Sequence, residues 1–182
     1  MGRARCPAPV KLIAGLLARE VPALEAGCRL LAERFGALER CSAPEPFSHS
    51  RYYEAEMGGP LVRLFCSFAC LIDAAELPRI KRTTNDLEAL RLLAASGGRR
   101  INLDPGYLAV DKVVLATTKG AAHRPYLGLG IYAELTYVYR SGAFDPLSWT
   151  YPDYRQPHVR EFFAAVRRGY LTQLRTGHAP RP

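Results

Sequence analysis

Apolar residues in this chain change their spacing from one end to the other. Near the N-terminus they form two nearly continuous runs, 10–17 and 61–72, that suit buried β-strands. Near the C-terminus they recur at the spacing of a helix that packs on a core, at Val159, Phe162, Phe163, Val166, Tyr170 and Leu174. The two apolar runs near the N-terminus are far shorter than the roughly 18 residues that a membrane span needs. The pattern predicts a protein that mixes strands with helices and does not enter a membrane.

The chain has 182 residues, of which 48% are hydrophobic and 23% charged. That length and balance favour one globular domain, and they exclude a disordered chain, a collagen-like repeat and a coiled coil. We expect a single domain over residues 10–175. Short tails at 1–9, which is basic, and at 176–182 are expected to be disordered.

The formal net charge of +8 invites a comparison with nucleic-acid-binding proteins. Much of that charge sits at the chain ends, which hold Arg3, Arg5, Arg175 and Arg181 without an acid. The body between them is closer to balance, which argues against a broad track for a nucleic-acid backbone. It leaves room for a small site that binds one anionic ligand.

Lysine is scarce in this chain, which has 21 arginines and only four lysines. Ammonium and guanidinium groups differ in shape, hydration and response to burial, so a lysine in an arginine-rich chain is a candidate for a role that needs an ammonium. The four are Lys11, Lys81, Lys112 and Lys119. The alternative is that they are surface residues kept by chance.

Five cysteines are scattered along the chain without a CxxC pair or a histidine at metal-ligand spacing. This pattern indicates neither a disulfide framework nor a zinc site, and it favours free thiols in a reducing cytoplasm. Arg3, Arg5 and Lys11 precede or open an apolar run, as in a secretory signal, but no small-residue cleavage site follows. We therefore expect a cytoplasmic protein.

Caps and turn residues divide the chain into alternating strands and helices. The predicted strands are 10–17, 51–57, 61–72, 100–103, 112–118 and 129–139, and the stretch 40–49 has the composition of a linker. The predicted helices run from Pro22 to Gly36, from an Asn85 N-cap to Gly97-Gly98, and through the C-terminal apolar stripe. Gly58-Gly59-Pro60 predicts a hairpin turn between the second and third strands.

The order of these elements is β-α-β-β-α-β, followed by further strands and a helix, and it belongs to the α+β class. It matches a ferredoxin-like βαββαβ core with an antiparallel strand extension and a C-terminal helix. A more closed antiparallel barrel wrapped by three helices is the alternative.

Two glutamates stand two residues apart just before Gly58-Gly59-Pro60. In a strand, Tyr52, Glu54 and Glu56 would share one face, because side chains alternate with a period of two. Neighbouring carboxylates repel unless a cation lies between them. Glu54 and Glu56 are therefore candidates for a divalent-metal or general-base site. The alternative is a solvated strand face paired with Arg51 or Arg63.

The stretch INLDPGYL contains Asn102 and Asp104 just before Pro105-Gly106. Pro-Gly after a polar residue predicts a tight turn at a strand end, with Asn102 and Asp104 on the same face. Strand ends are places where loops display catalytic groups. Asp104 is therefore a catalytic candidate and Asn102 a ligand-binding one, unless Asp104 simply caps the turn.

Lys112 and Lys119 bracket the next predicted strand, and Thr117, Thr118 and Gly120 accompany Lys119. Two hydroxyls, an ammonium and a backbone amide close together suit a phosphate or carboxylate ligand. Lys112, Thr118 and Lys119 are therefore ligand-binding candidates. The chain nowhere contains GxxxxGK followed by Ser or Thr, which excludes nucleotide hydrolysis by a P-loop.

The segment that starts at Lys81 precedes the predicted Asn85 cap. A helix N-terminus carries partial positive charge and free amides, so this segment is a candidate anion site with Lys81 as a binding residue. Ordinary capping of the helix is the alternative.

Glu134 is a polar residue inside an aromatic strand, so it is either a candidate catalytic carboxylate or part of an open sheet face. Tyr151 and Asp153 lie in the aromatic segment WTYPDY before the last helix. Aromatic loops stack on a base or sugar in single-strand nucleic-acid binders, so both residues are ligand-binding candidates. The alternative is that this segment closes the end of the core.

Nine short sequence blocks follow one another along the chain: KLIAGLL, FG, YYEAEMG, SFACLI, IKRTTNDLE, INLDPGYL, VLATTK, GIYAELT and WTYPDY. With them the chain resembles a bacterial family known as domain of unknown function 4416, from Lys11 to about Leu174. One departure is Pro125, where the family pattern has an aliphatic residue. The resemblance implies no reaction, because the family is uncharacterised.

These motifs together predict a cytosolic protein that binds a small anionic ligand, such as a nucleotide or a phosphorylated metabolite, and the sequence does not name a reaction. Lys81, Lys112 and Lys119 would neutralise the anion, and Asn102 and Asp104 would orient it. A divalent metal ligand or a general base would come from Glu54, Glu56 or Glu134. The alternative is an RNA-binding module that uses sheet aromatics and basic tails, although the RNP signature of the commonest such fold is missing.

Overall fold

The computed structural model describes residues 2–50, 52–91 and 99–177. Within that part of the chain it has nine strands: β1 (Val10–Ala18), β2 (Leu38–Cys41), β3 (Glu45–Phe47), β4 (Leu61–Ile72), β5 (Ile101–Leu108), β6 (Lys112–Thr117), β7 (Tyr126–Gly128), β8 (Ile131–Arg140) and β9 (Ala143–Pro146). Its α-helices there are α1 (Val21–Phe35), α2 (Glu54–Met57), α3 (Leu77–Arg91) and α4 (Pro157–Thr176). A short 3₁₀ turn, Ala74–Glu76, leads into α3.

The strands join in one antiparallel sheet with the order β2-β4-β1-β5-β6-β8-β7. β3 also pairs with β4, and β9 also pairs with β8. The predicted mixture of helices with antiparallel strands, including a C-terminal helix, is confirmed. The sheet is larger than a ferredoxin-like core, so that finer prediction stays a prediction.

Helices cover both faces of the sheet, and β1 is buried along its whole length. On one face α1 and α3 pack through Leu24, Leu31 and Ile80. On the other face α4 packs through the predicted apolar stripe, whose buried members are Val159, Phe163, Val166 and Tyr170. Burying one large apolar side chain stabilises a fold by about 1.5–3 kcal/mol. This burial explains why the stripe fixes the position of α4.

The sheet opens between β5 and β6. β5 pairs with β1 along its whole length, but it pairs with β6 only through residues 106–108. β6 in turn pairs with β8 along its whole length. The first half of β5 therefore diverges from the end of β6, and a wedge separates the two strands.

The strand predicted at 51–57 is wrong. Glu54–Met57 form the short helix α2, and Arg51 lies outside the described residues. β3 pairs with residues 61–63 and so occupies the edge of β4 that the predicted strand would have taken. Glu, Ala and Met are good helix formers, which favours a helical turn once that edge is filled. Gly58-Gly59-Pro60 therefore joins α2 to β4 and makes no hairpin.

The second helix begins earlier than the predicted Asn85 cap. The Asp73 carboxylate accepts a hydrogen bond from the Ala75 amide, and α3 grows directly from the 3₁₀ turn that this bond stabilises. Asn85 consequently lies well inside α3. The anion site was predicted at a helix N-terminus around Lys81. That prediction is wrong, because Lys81 lies inside α3 and not before its first turn. The predicted stop at Gly97-Gly98 lies outside the described residues.

Pro105-Gly106 continues β5 and does not form the predicted turn. Pro105 stands where β5 leaves β6, and a proline is tolerated in a strand where pairing ends. Gly106 is needed because β6 comes very close, so that a Cβ at this position would lie 2.4 Å from the Val114 carbonyl oxygen. The Pro-Gly pair therefore marks the point where the two strands meet.

The remaining predicted elements are confirmed with small changes of their bounds. The first strand extends to Ala18, and the first helix has Pro22 in its first turn and Gly36 just after its end. The strands predicted at 61–72, 100–103, 112–118 and 129–139 correspond to β4, β5, β6 and β8. The predicted linker contains half of β2 and all of β3, and β7 and β9 were not predicted.

The chain ends were predicted to be disordered tails. Residues 2–9 contain no helix or strand, α4 reaches Thr176, and residues 178–182 lie outside the described part of the chain. The disorder of both tails stays a prediction. None of the helices among the described residues is long and apolar enough to cross a membrane.

Substitution of Gly106 tests the close contact between β5 and β6. Gly106→Ala places a methyl group against the Val114 carbonyl and should lower the free energy of unfolding by about 1–3 kcal/mol. Gly120→Ala is the matched control, because a Cβ there would find its nearest neighbour, the Tyr132 ring, at 3.4 Å. We expect the control to stay within about 0.5 kcal/mol of the wild type. Urea unfolding measures both values, and equal stabilities would contradict this register.

Candidate functional site

A cavity of about 600 Å³ lies in the wedge between β5 and β6. Charged side chains from segments far apart in the sequence converge on it. The cations are Arg63, Lys81, Arg99, Lys119 and Arg124. The carboxylates are Glu88, Asp104, Glu134 and Asp153. The wedge is therefore a polar cleft with charges of both signs.

Two side chains of α3 replace the strand partner that β5 lacks at the cleft. The Leu103 amide donates to the Glu88 carboxylate at 2.7 Å, and the Lys81 ammonium donates to the Leu103 carbonyl at 2.8 Å. Both side chains are buried. A buried backbone group without a partner costs about 1–3 kcal/mol. Glu88 and Lys81 therefore allow β5 and β6 to separate without that penalty.

A chain of hydrogen bonds runs along one wall of the cleft. Arg99 donates to the two Glu56 oxygens at 2.7 and 2.8 Å. It also donates to Glu88 and to the Asn102 side-chain carbonyl, both at 2.9 Å. Asn102 in turn donates to Asp104 at 2.6 Å. The hydrogen bonds from Arg99 lower the pKa of Glu56, whereas burial raises the pKa of Glu88.

Arg63 connects β4 to the aromatic segment before α4. Its side chain is buried and donates from Nε and Nη2 to one oxygen of Asp153, at 2.8 and 2.6 Å. Nη1 lies 3.5 Å from Asp104, which is also 3.5 Å from the Lys81 ammonium. Burial opposes the charge of Arg63, but Asp153 and the other acidic groups around it together outweigh that effect, and the pKa of Arg63 is raised. The predicted ligand-binding residue Asp153 is thus held by an arginine.

Glu134 of β8 lies in the wall of the cleft. Its side chain is 1% exposed, and Arg124 donates to its Oε2 at 2.6 Å. Arg124 also donates to the Tyr151 hydroxyl at 2.9 Å. Burial and the nearby charge of Glu134 raise the pKa of Tyr151. The other oxygen of Glu134, Oε1, has no hydrogen-bond partner among the described residues.

Thr118 and Lys119 directly follow β6 and line the mouth of the cleft. The Lys119 ammonium lies 3.6 Å from the centre of the Tyr52 ring, a cation–π contact. The nearby Lys119 ammonium also lowers the pKa of the Tyr52 hydroxyl. Within the described part of the chain, Lys119 makes no ion pair with a carboxylate.

The structure brings most of the predicted site residues together. Those that line the cleft are Lys81, Asn102, Asp104, Thr118, Lys119, Glu134, Tyr151 and Asp153. Glu56 is connected to the cleft through Arg99, and Glu54 opens α2 outside the cavity lining. Lys112 starts β6, at the opposite end from the cleft, and its ammonium lies 3.2 Å from Asp111. The hypothesis required Lys81, Lys112 and Lys119 to lie around one ligand. Lys81 and Lys119 line the cleft, but Lys112 does not.

Three arginines that organise the cleft were not predicted as site residues. Arg63 had a usable signal, because a charge inside the apolar run LVRLFCSFACLI is buried and needs a partner. Arg99 and Arg124 had no such signal. They lie outside the helices and strands, and only the fold brings them to their carboxylates.

The carboxylates of the cleft are each paired with a cation. Arg63 holds Asp153, Arg99 holds Glu88, and Arg124 holds Glu134. In residues 2–50, 52–91 and 99–177, no three His, Cys, Asp or Glu side chains form a group that could hold a metal ion. The predicted metal-binding role of Glu54, Glu56 or Glu134 therefore gains no support from the geometry.

Fold and site together define a protein with a split antiparallel sheet and one charged cleft at the split. The chain belongs to the family described as Domain of unknown function (DUF4416), whose model matches residues 8–170. This match confirms the family resemblance found in the sequence. No curated protein and no solved structure matches the chain.

Removal of the Lys81 ammonium tests its structural role. Lys81→Met leaves the buried Leu103 carbonyl without its donor, and we expect a loss of about 2–4 kcal/mol in the free energy of unfolding. Arg82→Met is the control, because Arg82 is exposed on the same helix and should change stability by no more than about 0.5 kcal/mol. Urea unfolding compares the two. A small effect at Lys81 would mean that Leu103 has another partner.

The ion pair between Glu56 and Arg99 should weaken in acid. Arg99 lowers the pKa of Glu56 below its ordinary value of 4.5 in the folded protein, so the pair stabilises the fold above pH 4.5. That contribution is lost as the pH falls through the lowered pKa. It is small, because the Glu56 side chain is 41% exposed.

Below pH 4.5, the stability of the wild type should therefore fall more steeply than that of Glu56→Gln. Urea unfolding at a series of pH values gives the two slopes. Parallel slopes would contradict the role given to this pair.

Proposed function

We propose that this protein is a cytoplasmic binding protein whose cleft holds a small anionic ligand, such as a nucleotide or a phosphorylated metabolite. The observation that carries the proposal is the position of Lys119. Its ammonium lines a 600 Å³ cavity and, among the described residues, contacts an aromatic ring but no carboxylate. An anion oxygen there would form a charge-assisted hydrogen bond, which is stronger than a neutral one.

The size and lining of the cleft support a ligand of this class. Binding sites for small molecules typically have volumes of about 300–1,000 Å³. Tyr52, Tyr53 and Tyr151 line the cavity together with the charged residues. Aromatic rings provide flat surfaces on which a base or a sugar can stack. The cleft thus offers both a cation for the anionic part and apolar surface for a ring.

Glu134 supports a ligand that also carries a hydrogen-bond donor. Its Oε1 is buried in the cavity wall and has no partner within the described residues. A buried acceptor without a partner is costly, so a hydroxyl or an N–H group of the ligand would relieve that cost. Both a nucleotide and a phosphorylated sugar have such donors.

The carboxylates support binding better than catalysis. Asp104 lies near two cations, and Glu134 is paired with Arg124, so neither is a free general base. Glu54 and Glu56 are not part of the cavity lining. We therefore assign no reaction to the cleft.

The RNA-binding alternative draws less support from the fold. The common RNA-binding sheet presents its aromatic residues on an open face. Here helices cover both faces of the sheet around β1, and Tyr137 of β8 is buried in the cluster under α4. The small cleft therefore favours a small ligand.

We also propose that part of the sheet forms a ferredoxin-like core. Four strands stand in the order β2-β4-β1-β5, and α1 and α3 pack together on one face of them. This order supports a βαββαβ core in which β2 replaces the strand predicted at 51–57. The remaining strands on the far side of β5 would be the antiparallel extension.

Thermal unfolding of the full chain tests the proposed ligand class. The panel contains nucleotides, sugar phosphates and inorganic pyrophosphate, each with and without magnesium. A ligand at roughly a hundred times its Kd adds about 2.7 kcal/mol of stability, which raises Tm by several degrees. Lys119→Gln should reduce the shift, whereas Lys112→Gln, which removes the same charge outside the cleft, should retain it.

The possible results separate the hypotheses. Equal losses in the two lysine variants would contradict a site at Lys119, and silence across the panel would contradict the ligand class. A shift that only an RNA oligonucleotide produces, and that disappears as salt rises to physiological levels, would favour the RNA-binding alternative.

A further inference from the structure

Two buried side chains, Arg63 and Tyr154, form the floor of the cleft and carry hydrogen-bond donors without a partner. Arg63 is 4% exposed and Tyr154 1% exposed, and both line the cavity. Within the described part of the chain, neither Arg63 Nη1 nor the Tyr154 hydroxyl makes a hydrogen bond. Nη1 has an ionic contact instead, at 3.5 Å from Asp104. Because a buried polar group without a partner is costly, these two donors point to an acceptor that enters the cavity.

Gly15 of β1 makes room for both donors. A Cβ at this position would lie 2.9 Å from the Tyr154 hydroxyl oxygen and 3.4 Å from Arg63 Nη1, so the two groups stand over the same point of the strand. Gly15 lies in the interior of β1 and does not have a positive φ, so space and not backbone conformation explains the glycine. A glycine inside a strand weakens it and often marks a place where a ligand comes close.

Aromatic packing holds the two donors in place. Three rings surround the Arg63 guanidinium, with their centres 5.4–5.7 Å away, and they belong to Phe47, Phe65 and Tyr154. The Tyr154 ring in turn stacks on Phe163 of α4. Burial raises the pKa of Tyr154 well above its ordinary value, so the hydroxyl keeps its proton and can donate it in a hydrogen bond. The floor therefore presents two fixed donors to the cavity.

The floor and the mouth of the cleft differ in charge. At the floor, the cations Arg63 and Lys81 face the carboxylates Asp104 and Asp153, so the charges balance. At the mouth, the exposed Lys119 has no carboxylate partner among the residues that the structure describes. An anion at the mouth would therefore meet an unbalanced positive charge, whereas an anion at the floor would add an unpaired buried charge, which is costly. The floor suits an uncharged acceptor, such as a hydroxyl or carbonyl oxygen.

We propose that the cleft binds a phosphate monoester of an uncharged polar ring compound, with the phosphate at Lys119 and a neutral oxygen of the ring compound on Arg63 and Tyr154. This inference rests on the proposed function and adds the orientation of the ligand. Oε1 of Glu134 accepts a hydrogen bond from a hydroxyl or N–H group of the same compound. Nucleoside monophosphates and sugar phosphates share this chemistry. Inorganic phosphate has the anion but not the groups that the floor binds.

Calorimetric titration of the full chain tests the proposal. The probes are adenosine monophosphate, uridine monophosphate and ribose phosphate, and inorganic phosphate is the probe that lacks a ring compound. We expect at least one ester to bind about 30-fold more tightly than inorganic phosphate, because it adds hydrogen bonds at the floor. A comparison of the nucleotides with ribose phosphate shows whether a base or a sugar provides the neutral oxygen. Equal affinities for inorganic phosphate and for all esters would overturn the proposal.

Tyr154→Phe removes the hydroxyl alone, and that hydroxyl has no hydrogen bond to lose within the described structure. The variant should bind the ester about 3–10-fold more weakly than the wild type, with no change in its affinity for inorganic phosphate. Lys119→Gln should weaken the binding of both probes. Tyr170→Phe is the matched control, because the Tyr170 hydroxyl donates to the Pro9 carbonyl outside the cavity lining. It should change neither affinity.

Gly15→Ala is a second variant of the floor, because it crowds the Tyr154 hydroxyl without removing a polar group. It should also weaken ester binding, and if it fails to fold, Tyr154→Phe decides the question. Unchanged ester binding in Tyr154→Phe, together with a loss in Lys119→Gln, would overturn this inference and leave the proposed function standing. A loss of inorganic phosphate binding in Tyr154→Phe would place the anion at the floor and overturn the orientation. If no probe binds, the proposed function fails and this inference fails with it.

Discussion

Leu103 of β5 is the residue on whose backbone amide and carbonyl the whole site depends. In a continuous sheet its amide and carbonyl would bond to β6, but here the Glu88 carboxylate and the Lys81 ammonium bind them. Leu77 of α3 packs in one cluster with Val114 of β6, so the helix spans the two strands that separate. Because a buried strand edge must find partners, the sheet can open only where α3 provides them.

The opened sheet is then held by buried charges. Arg63 ties Asp153 to β4, and Arg99 links Glu56 on α2 with Asn102 on β5. Buried ion pairs often stabilise a fold no more than apolar residues of the same size. Their effect here is to fix the positions of polar groups around an empty volume. The Lys119 ammonium, which pairs with no carboxylate among the described residues, and the Glu134 Oε1 are two cleft groups that this network leaves for a ligand.

Nearly continuous apolar runs allowed β1 and β4 to be predicted, and a helical apolar spacing allowed α4 to be predicted, because the burial of apolar side chains decides such elements. The Pro105-Gly106 pair was misread, since the residues that favour a turn also suit a strand that leaves its neighbour after a close contact. Lysine scarcity pointed to the cleft residues Lys81 and Lys119. It could not separate them from Lys11, whose buried ammonium lies 3.1 Å from Glu39. Residues such as Arg124 depend on contacts that no local pattern encodes.

Hydrogen exchange of the Leu103 amide in the ligand-free protein tests the central claim most directly. The account predicts slow exchange in the wild type and much faster exchange in Glu88→Ala, because the carboxylate is the acceptor for that amide. The Tyr107 amide, in the part of β5 that pairs with β6, should keep its protection in both proteins. Unchanged protection of Leu103 in Glu88→Ala would contradict the account, because it would mean that β6 closes on β5 and that no cleft separates them.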